Sequence, residues 1–173
     1  MKHFTIVQAC LIAGLTLLAG CVNGPSLQNR PFFHPPAETS PDQATLYFYR
    51  NAVSLGRLIS PTILINGKAI SRLPSGSYFK VNLPAGHYHV ESTSPPIITN
   101  MVNKQFDLDV EKGRNYFIAD QVNTVDHQDG QTLGQVDESY FRPNHYFSRY
   151  ALVPAEQALQ SIKWCQSVLV GDL

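Results

Sequence analysis

The sequence predicts a mainly β protein, an antiparallel β-sandwich that carries one short amphipathic helix near its C-terminus. Three observations lead to this prediction. Between residues 44 and 120, short segments alternate apolar and polar side chains with the period of two that is typical of half-buried strands. Turn residues such as Asn-Gly and Pro-Ala-Gly separate these segments. After Pro154 the apolar spacing changes to the period of a helix.

Aromatic and β-branched residues indicate the first strands. ATLYFYR at 44–50 predicts a strand. PTILINGKAI then predicts a tight hairpin, because Asn66 and Gly67 both tolerate the positive φ angles of a type I′ turn. With these two residues in the turn, Ile63 and Ile70 should be cross-strand neighbours.

A second hairpin is predicted over GSYFKVNLPAGHYHVES, with its turn at Pro84-Ala85-Gly86. Counting outward from this turn gives an apolar set of pairs and a polar set. The apolar pairs are Val81 with Tyr88 and Phe79 with Val90, and the polar pairs are Asn82 with His87, Lys80 with His89, and Tyr78 with Glu91. The two histidines should therefore share an exposed face.

A third hairpin is predicted over KQFDLDVEKGRNYFIAD, with Gly113 in its turn. Its first strand alternates strictly between an apolar face and a polar face. The apolar face holds Phe106, Leu108 and Val110, continued on the second strand by Tyr116 and Ile118, and the polar face holds Gln105, Asp107 and Asp109. Three hairpins after an opening strand favour a sandwich over an α/β fold.

The segment at 121–135 is polar and contains glycine, so it is predicted to be a long loop. Asp126 and Asp129 raise the question of calcium. DHQDG lacks the alternating oxygen ligands and the closing glutamate of an EF-hand loop, which favours a solvated loop. Residues 140–153 should add one or two strands, interrupted at Pro143-Asn144.

The helix is predicted at about 154–166, with Pro154 in its first turn. Its apolar stripe follows i, i+3, i+4, i+7 spacing and contains Ala155, Ala158, Leu159, Ile162 and Cys165. This position favours a buried thiol at Cys165 over a redox group. Trp164 lies beside the stripe, where it would cover the junction between helix and sheet.

The N-terminus predicts a lipoprotein signal in residues 1–20. An apolar run too short to span a bilayer precedes Leu18, Ala19, Gly20 and Cys21, which resemble the lipobox of bacterial lipoproteins. The alternative is an ordinary signal peptide with a chance cysteine. Acylation at Cys21 would anchor the chain in a membrane. Val22, in place of the aspartate typical of inner-membrane retention, favours the outer membrane.

Residues 21–42 hold the lipidated cysteine and a proline-rich tether, and residues 43–173 should form one domain. Removing Lys2 from the 13 basic residues leaves 12 against 13 acidic ones, so the charge gives no case for a nucleic-acid partner. Cys10 leaves with the signal and Cys21 carries lipid, so no internal disulfide is expected.

His87 and His89 could form half of a metal site, because alternate residues on a strand converge on one side. Zinc needs three or four ligands, and the nearest candidates are Glu91, His127 and His145. Lys80, predicted opposite His89, would repel a cation. The prediction is two solvated histidines, with no metal and no cofactor.

No catalytic motif indicates an enzyme. The aromatic strands YFYR and NYFI could form a stacking platform for a glycan, although such residues are more often core. Arg50 and Arg114 begin or end strands, and either could bind an acidic ligand or pair with Asp109 or Asp120.

The segments YFYR at 47–50, ING at 65–67, LPSGSYF at 73–79, LPAGHYHV at 83–90 and GRNYFI at 113–118 resemble a bacterial lipoprotein family catalogued only as a domain of unknown function. The resemblance covers residues 44 to about 120. It departs at Ala85, where that family usually has proline, and at Phe117, where a second tyrosine is common. The ING and Leu-Pro-x-Gly-x-Tyr segments are also similar to those of prealbumin-like sandwiches. Both resemblances imply a sandwich in the cell envelope and no established activity.

The sequence therefore predicts a lipid-anchored, non-enzymatic binding or structural protein of the envelope, on the periplasmic face of the outer membrane. Its partner would be another envelope protein, bound through a strand edge or the polar face. Two alternatives stay open: a module that binds a glycan or small ligand, and an inhibitor or immunity lipoprotein that caps a periplasmic enzyme.

Overall fold

The computed structural model describes residues 25–35, 40–53, 57–93, 104–124, 130–141 and 144–171, with side chains omitted at 135–141 and 144–146. The predicted signal, lipobox and sorting residue, and Asp126, Asp129 and His127, lie outside the described residues, as does the side chain of His145. Among the described residues, no helix has the length and apolar composition needed to cross a bilayer.

The residues that the structure describes fold into two sheets and one helix, which confirms the predicted mainly β sandwich. The strands are β1 (Ala44–Arg50), β2 (Thr62–Ile65), β3 (Lys68–Arg72), β4 (Ser77–Leu83), β5 (Gly86–Thr93), β6 (Lys104–Val110), β7 (Asn115–Asn123), β8 (Gln131–Phe141), β9 (Asn144–Val153) and β10 (Gln166–Ser167). A six-stranded sheet has the order β10-β4-β1-β7-β9-β8, and a four-stranded sheet has the order β3-β2-β5-β6. The larger sheet is mixed, since β1 with β7 and β10 with β4 are parallel pairs.

The Asn-Gly hairpin forms as predicted between β2 and β3. Asn66 and Gly67 have φ angles of 50° and 75°, which only a glycine or asparagine adopts readily. The predicted pair of Ile63 with Ile70 is wrong. A bulge shifts the register between Ile63 and Leu64, so that Ile63 pairs with Ser71 instead.

The other two predicted hairpins are wrong, because each of their turns carries the chain from one sheet to the other. β4 pairs with β1 and β10, whereas β5 pairs with β2 and β6. β6 and β7 likewise belong to different sheets. Gly86 therefore begins a strand and has no positive φ angle, whereas Gly113 does. Two amphipathic strands bury their apolar faces equally well side by side or across a core, so the period of two does not distinguish these arrangements.

Two apolar cores divide the molecule into three layers. The first lies between the sheets and includes Leu46, Phe48 and Val90, all fully buried. The second lies between the outer face of the six-stranded sheet and a cover made of the helix and Phe33. All seven residues of β1 are buried, because its two faces belong to different cores.

The predicted apolar face of β6 is confirmed. Phe106, Leu108 and Val110 are buried in the core between the sheets, whereas Gln105, Asp107 and Asp109 are exposed. Ile118 continues this face on β7 and is fully buried, and Tyr116 packs against it.

The helix α1 (Ala155–Ile162) follows Pro154, shorter than predicted. Ala158 and Ile162 are buried against the sheet, but Ala155 is exposed. Cys165 is buried as predicted, and burial raises the pKa of its thiol to about 12. The expectation that Trp164 covers the junction is wrong, because 70% of this residue is exposed.

The predicted loop at 121–135 is largely strand. β7 runs to Asn123 and β8 begins at Gln131, so the connection is short. The polar residues here form cross-strand hydrogen bonds: Arg149 on β9 donates to Gln121 at 2.9 Å and to Thr132 at 2.7 Å. Residues 140–141 and 144–153 belong to β8 and β9, which pair antiparallel from Phe141 and Asn144 onward.

Part of the predicted tether packs on the domain. Phe32 forms a bridge with Gln166 of β10, and the amide of Phe33 donates to the carbonyl of Cys165 at 3.0 Å. Phe33 is 4% exposed and packs edge-on against Tyr47 and Tyr78. The folded part of the chain thus begins upstream of the predicted boundary at residue 43, because an aromatic residue among the prolines covers the outer face of the sheet.

Candidate functional site

The outer face of the four-stranded sheet carries interleaved histidines and carboxylates on β5 and β6. Antiparallel pairing places His87 opposite Asp109 and His89 opposite Asp107. Nδ1 of His87 lies 2.8 Å from Oδ1 of Asp109, and Nδ1 of His89 lies 2.7 Å from Oδ1 of Asp107. Oε1 of Glu91 extends the row, 3.2 Å from Nε2 of His89. These five residues are called the histidine-carboxylate face.

The charge state of His89 follows from its two partners. Each of its ring nitrogens has a carboxylate acceptor, and imidazole donates from both nitrogens only when it is protonated. The pKa of His89 is raised above its ordinary value, mainly by the hydrogen bond with Asp107, with further contributions from the charge of Asp107 and from Glu91. This ring therefore has a higher pKa than a solvated histidine does.

The five side chains are accessible to a partner. The side chains of His87 and Asp109 are 65% and 86% exposed, and those of His89 and Glu91 are 40% and 37% exposed. The prediction that the two histidines share an exposed face is therefore confirmed, although the strand that pairs with them was predicted incorrectly. Their contacts are with carboxylates rather than with water alone.

The argument from Lys80 was wrong, because Lys80 lies on the other sheet, opposite Tyr47. Without a lysine opposite His89, this objection to a metal site no longer applies. In the part of the chain that the structure describes, no group of three or more histidine, cysteine, aspartate or glutamate side chains has a geometry that could hold a metal ion. His87 and His89 direct ring nitrogens at carboxylates, which makes this face an array of histidine–carboxylate hydrogen bonds.

A second set of charged residues lies inside the sandwich. Lys104 at the start of β6 binds Asp120 of β7 through Nζ and Oδ1, and it also donates to the hydroxyl of Ser148 at 3.0 Å. Nε of Arg50, at the end of β1, lies 3.7 Å from Oδ2 of Asp120. Arg50, Lys104 and Asp120 are 2%, 4% and 6% exposed, and they are called the buried ionic cluster.

The ring of Tyr150 completes the surroundings of this cluster. The ammonium of Lys104 lies 4.4 Å from the centre of that ring, a cation–π contact in a dry environment. Burial, and then the charge of Asp120, hold the pKa of Tyr150 well above its ordinary value. The cluster joins strands of both sheets and fixes their relative position, because each charge needs its partners in place.

Arg50 was predicted as a surface candidate and is instead buried; of the two open pairings, the one with Asp120 is confirmed. The guanidinium of Arg50 also donates to the carbonyl of Ile59 at 2.7 Å. Arg114 stays on the surface, where its Nε lies 3.0 Å from Oε2 of Glu111.

Sequence reasoning named Asp120 only as an open partner for Arg50 or Arg114, and it missed Lys104, although the inward position of both had a readable signal. Lys104 continues the apolar alternation of Phe106 and Leu108 by one step, and Asp120 continues that of Ile118. A charge that holds an inward position at a strand end predicts a buried ion pair.

The aromatic strands do not form a stacking platform. Tyr47, Tyr49 and Phe117 are buried in the second core, where the rings of Tyr47 and Phe117 stack with centres 4.9 Å apart. Exposed aromatic surface lies elsewhere. Phe32 and Trp164 line an open groove of about 490 Å³, and both are about half exposed or more.

Leu169 and Val170 lie on the same side of the molecule, beside a neighbouring groove that shares Phe33 and His34 with the first. They are 55% and 53% exposed. The four residues Phe32, Trp164, Leu169 and Val170 are called the aromatic edge.

These features define a class of protein, a three-layer β-sandwich held by a buried ionic cluster, with an ionic outer face and an apolar edge. A match with the family described as "Protein of unknown function (DUF2846)" covers residues 40–134, more than half of the chain, and the chain belongs to this family. No curated protein matches it. The matched region includes the histidine-carboxylate face and all of the buried ionic cluster, whereas the aromatic edge lies outside it.

Proposed function

We propose that this protein is a lipoprotein anchored in the outer membrane through Cys21, which binds another envelope protein, without catalysis, through the histidine-carboxylate face. The observation that carries the binding role is the exposure of two histidines and three carboxylates on adjacent, paired strands. The lipobox at 18–21 supports the anchor.

The face suits a partner with basic groups. When its histidines are neutral, the face holds three carboxylates and no cation of its own, so it attracts lysine or arginine side chains. Because β5 pairs with β2 on one side and with β6 on the other, its histidines and the carboxylates opposite them are held at fixed spacing. Fixed spacing lowers the entropy that is lost on binding.

The anchor is tested by Cys21→Ala. We expect this chain to lose incorporation of labelled fatty acid and to leave the membrane fraction, because without acyl chains the mature protein has no strong membrane attachment. The measurement is fractionation of cells after washing at high salt, with Val22→Ala as a matched control that keeps the cysteine. A Cys21→Ala chain that is cleaved and still sediments with membranes contradicts the anchor.

The binding face is tested by photo-crosslinking in intact envelopes, followed by mass spectrometry. A photoreactive residue replaces His87 in one chain and, as the control, Gln157 in another. Gln157 is exposed on α1, on the far side of the six-stranded sheet. We expect a protein adduct from position 87 that disappears with Asp107→Lys and is absent from position 157. The same adduct from both positions, or none from position 87, refutes this face as the binding surface.

Two other roles share this architecture. If the crosslinked partner is a periplasmic enzyme, inhibition of that enzyme by the purified protein separates an inhibitor role from a structural one. A glycan-binding role finds its support in the groove beside Phe32 and Trp164, because exposed aromatic rings stack on sugars.

A further inference from the structure

The aromatic edge is an unusual surface for this molecule. It concentrates four of the five large apolar residues that are exposed among the described residues, and Leu58 is the fifth. Scattered exposed apolar residues need no explanation, but a cluster around two adjoining grooves marks an interaction surface.

The segment that precedes the domain lies next to the aromatic edge. The amide of Gln166 donates to the carbonyls of Leu27 and Arg30, both at 3.0 Å, and Leu27 packs against the first core. Leu27 lies six positions after Cys21, and at about 3.3–3.6 Å per residue a fully extended chain of that length spans roughly 20 Å. An acylated Cys21 therefore holds this side of the domain close to the bilayer.

The charges near this edge also favour a membrane surface. The ammonium of Lys163 lies 5.3 Å from the centre of the Trp164 ring, and Lys80 and His34 line the adjoining groove. Tryptophan beside lysine is the combination found at the headgroup level of bilayers, where anionic lipids attract the cation. The carboxylates of Glu91, Asp107 and Asp109 lie on the outer face of the other sheet, beyond the core that separates the sheets.

We propose that the aromatic edge rests in the headgroup region of the bilayer that holds the lipid anchor, which turns the histidine-carboxylate face away from the membrane. This orientation rests on the proposed function, since it requires an acylated Cys21. It gives the anchored domain a defined direction, with its ionic face presented to the periplasm rather than to the lipid surface. It also replaces the predicted long spacer with a short connection.

Trp164 is the single tryptophan of the chain, so its fluorescence reports on this surface alone. The acylated protein is reconstituted into vesicles of phosphatidylethanolamine and phosphatidylglycerol, in which part of the lipid is brominated near the top of its acyl chains. We expect emission from Trp164 to shift to shorter wavelength, to fall by at least about twofold with brominated lipid, and to resist quenching by iodide in the water phase.

A matched probe on the opposite side is provided by the Gln105→Trp, Trp164→Phe variant. Gln105 is exposed on the outer face of β6, next to the histidine-carboxylate face. In the same vesicles its emission should stay at the wavelength of a water-exposed ring, be quenched by iodide, and be unaffected by brominated lipid.

The outcomes separate the two proposals. A protein that floats with the vesicles while Trp164 behaves like the opposite probe overturns the orientation and leaves the anchor intact. A chain that carries no acyl group and does not float refutes the anchor, and the orientation with it. Protection of Trp164 by peptidoglycan fragments or by a second copy of the chain, without quenching by brominated lipid, also overturns the orientation and assigns the edge to that occupant.

Discussion

The buried ionic cluster and the histidine-carboxylate face are built from similar groups in opposite surroundings. In the cluster, the side chains of Lys104 and Asp120 are 4% and 2% exposed. On the face, those of His87 and Asp109 are 65% and 86% exposed. Ion pairs in water contribute about 0–1 kcal/mol, whereas a buried charge that loses its partner costs several kcal/mol. The same pairing chemistry therefore holds the fold in one place and remains available to a partner in the other.

The largest expected difference between the two regions comes from removing one carboxylate in each. Asp120→Ala leaves Lys104 and Arg50 buried without the anion they share, so the free energy of unfolding should fall by about 3–5 kcal/mol. Asp109→Ala, the matched control, should change it by about 0.5 kcal/mol or less. Urea denaturation followed by circular dichroism measures both. Equal losses in the two variants would contradict the contrast between the regions.

A double-mutant cycle in each region sharpens the comparison, because it isolates the energy of the pair itself. We expect a coupling energy of about 1–3 kcal/mol between Lys104 and Asp120 when each is changed to alanine, singly and together. The cycle for His89 and Asp107 should give a smaller coupling energy than the buried pair, because solvent screens exposed charges. A coupling in the exposed pair that matches the buried one would show that the face also stabilises the fold.

The smallest effect is the pH dependence of the face. The pKa of His89 is raised in the folded protein, mainly by Asp107, so its contribution to stability is complete below the unfolded pKa of about 6.5 and is lost as pH rises through the folded pKa. NMR titration of the imidazole should show this raised pKa, and Asp107→Asn should lower it. An unchanged titration curve in Asp107→Asn would exclude the hydrogen bond with Asp107 as the cause.

The outward position of His87 and His89 was predictable because the face of a strand residue depends only on its parity along the strand. The partners were not, since parity does not identify the neighbouring strand. Val90, on the same strand as the two histidines, has the opposite parity and is buried in the core, as either arrangement requires. For this reason the predicted pairing of His89 with Lys80 was wrong. The face was therefore expected to carry a lysine where the structure has carboxylates.

The two crossings between sheets had no signal in the sequence. Turns at Gly86 and Gly113 are short enough for hairpins, but the chain changes sheets at both. β4 and β7 hydrogen-bond to the two edges of β1, whereas β5 and β6 pair with each other in the other sheet. This arrangement is a property of the whole domain. Phe33 illustrates the same limit, because its burial depends on Tyr47 and Tyr78 rather than on its proline-rich surroundings.

The bridge between Phe32 and Gln166 has a consequence for how the chain reaches its final state. The side-chain amide of Gln166 donates to the carbonyl of Leu27, 139 residues earlier in the chain. This contact therefore closes a loop that contains nearly the whole domain. Contacts of such sequence separation form slowly, because the intervening loop has to be closed first. Since synthesis delivers the N-terminus before the C-terminus, the backbone groups of residues 31–33 remain without their partners at 165–167 until the last strand emerges. This edge should therefore be the last part of the domain to become ordered.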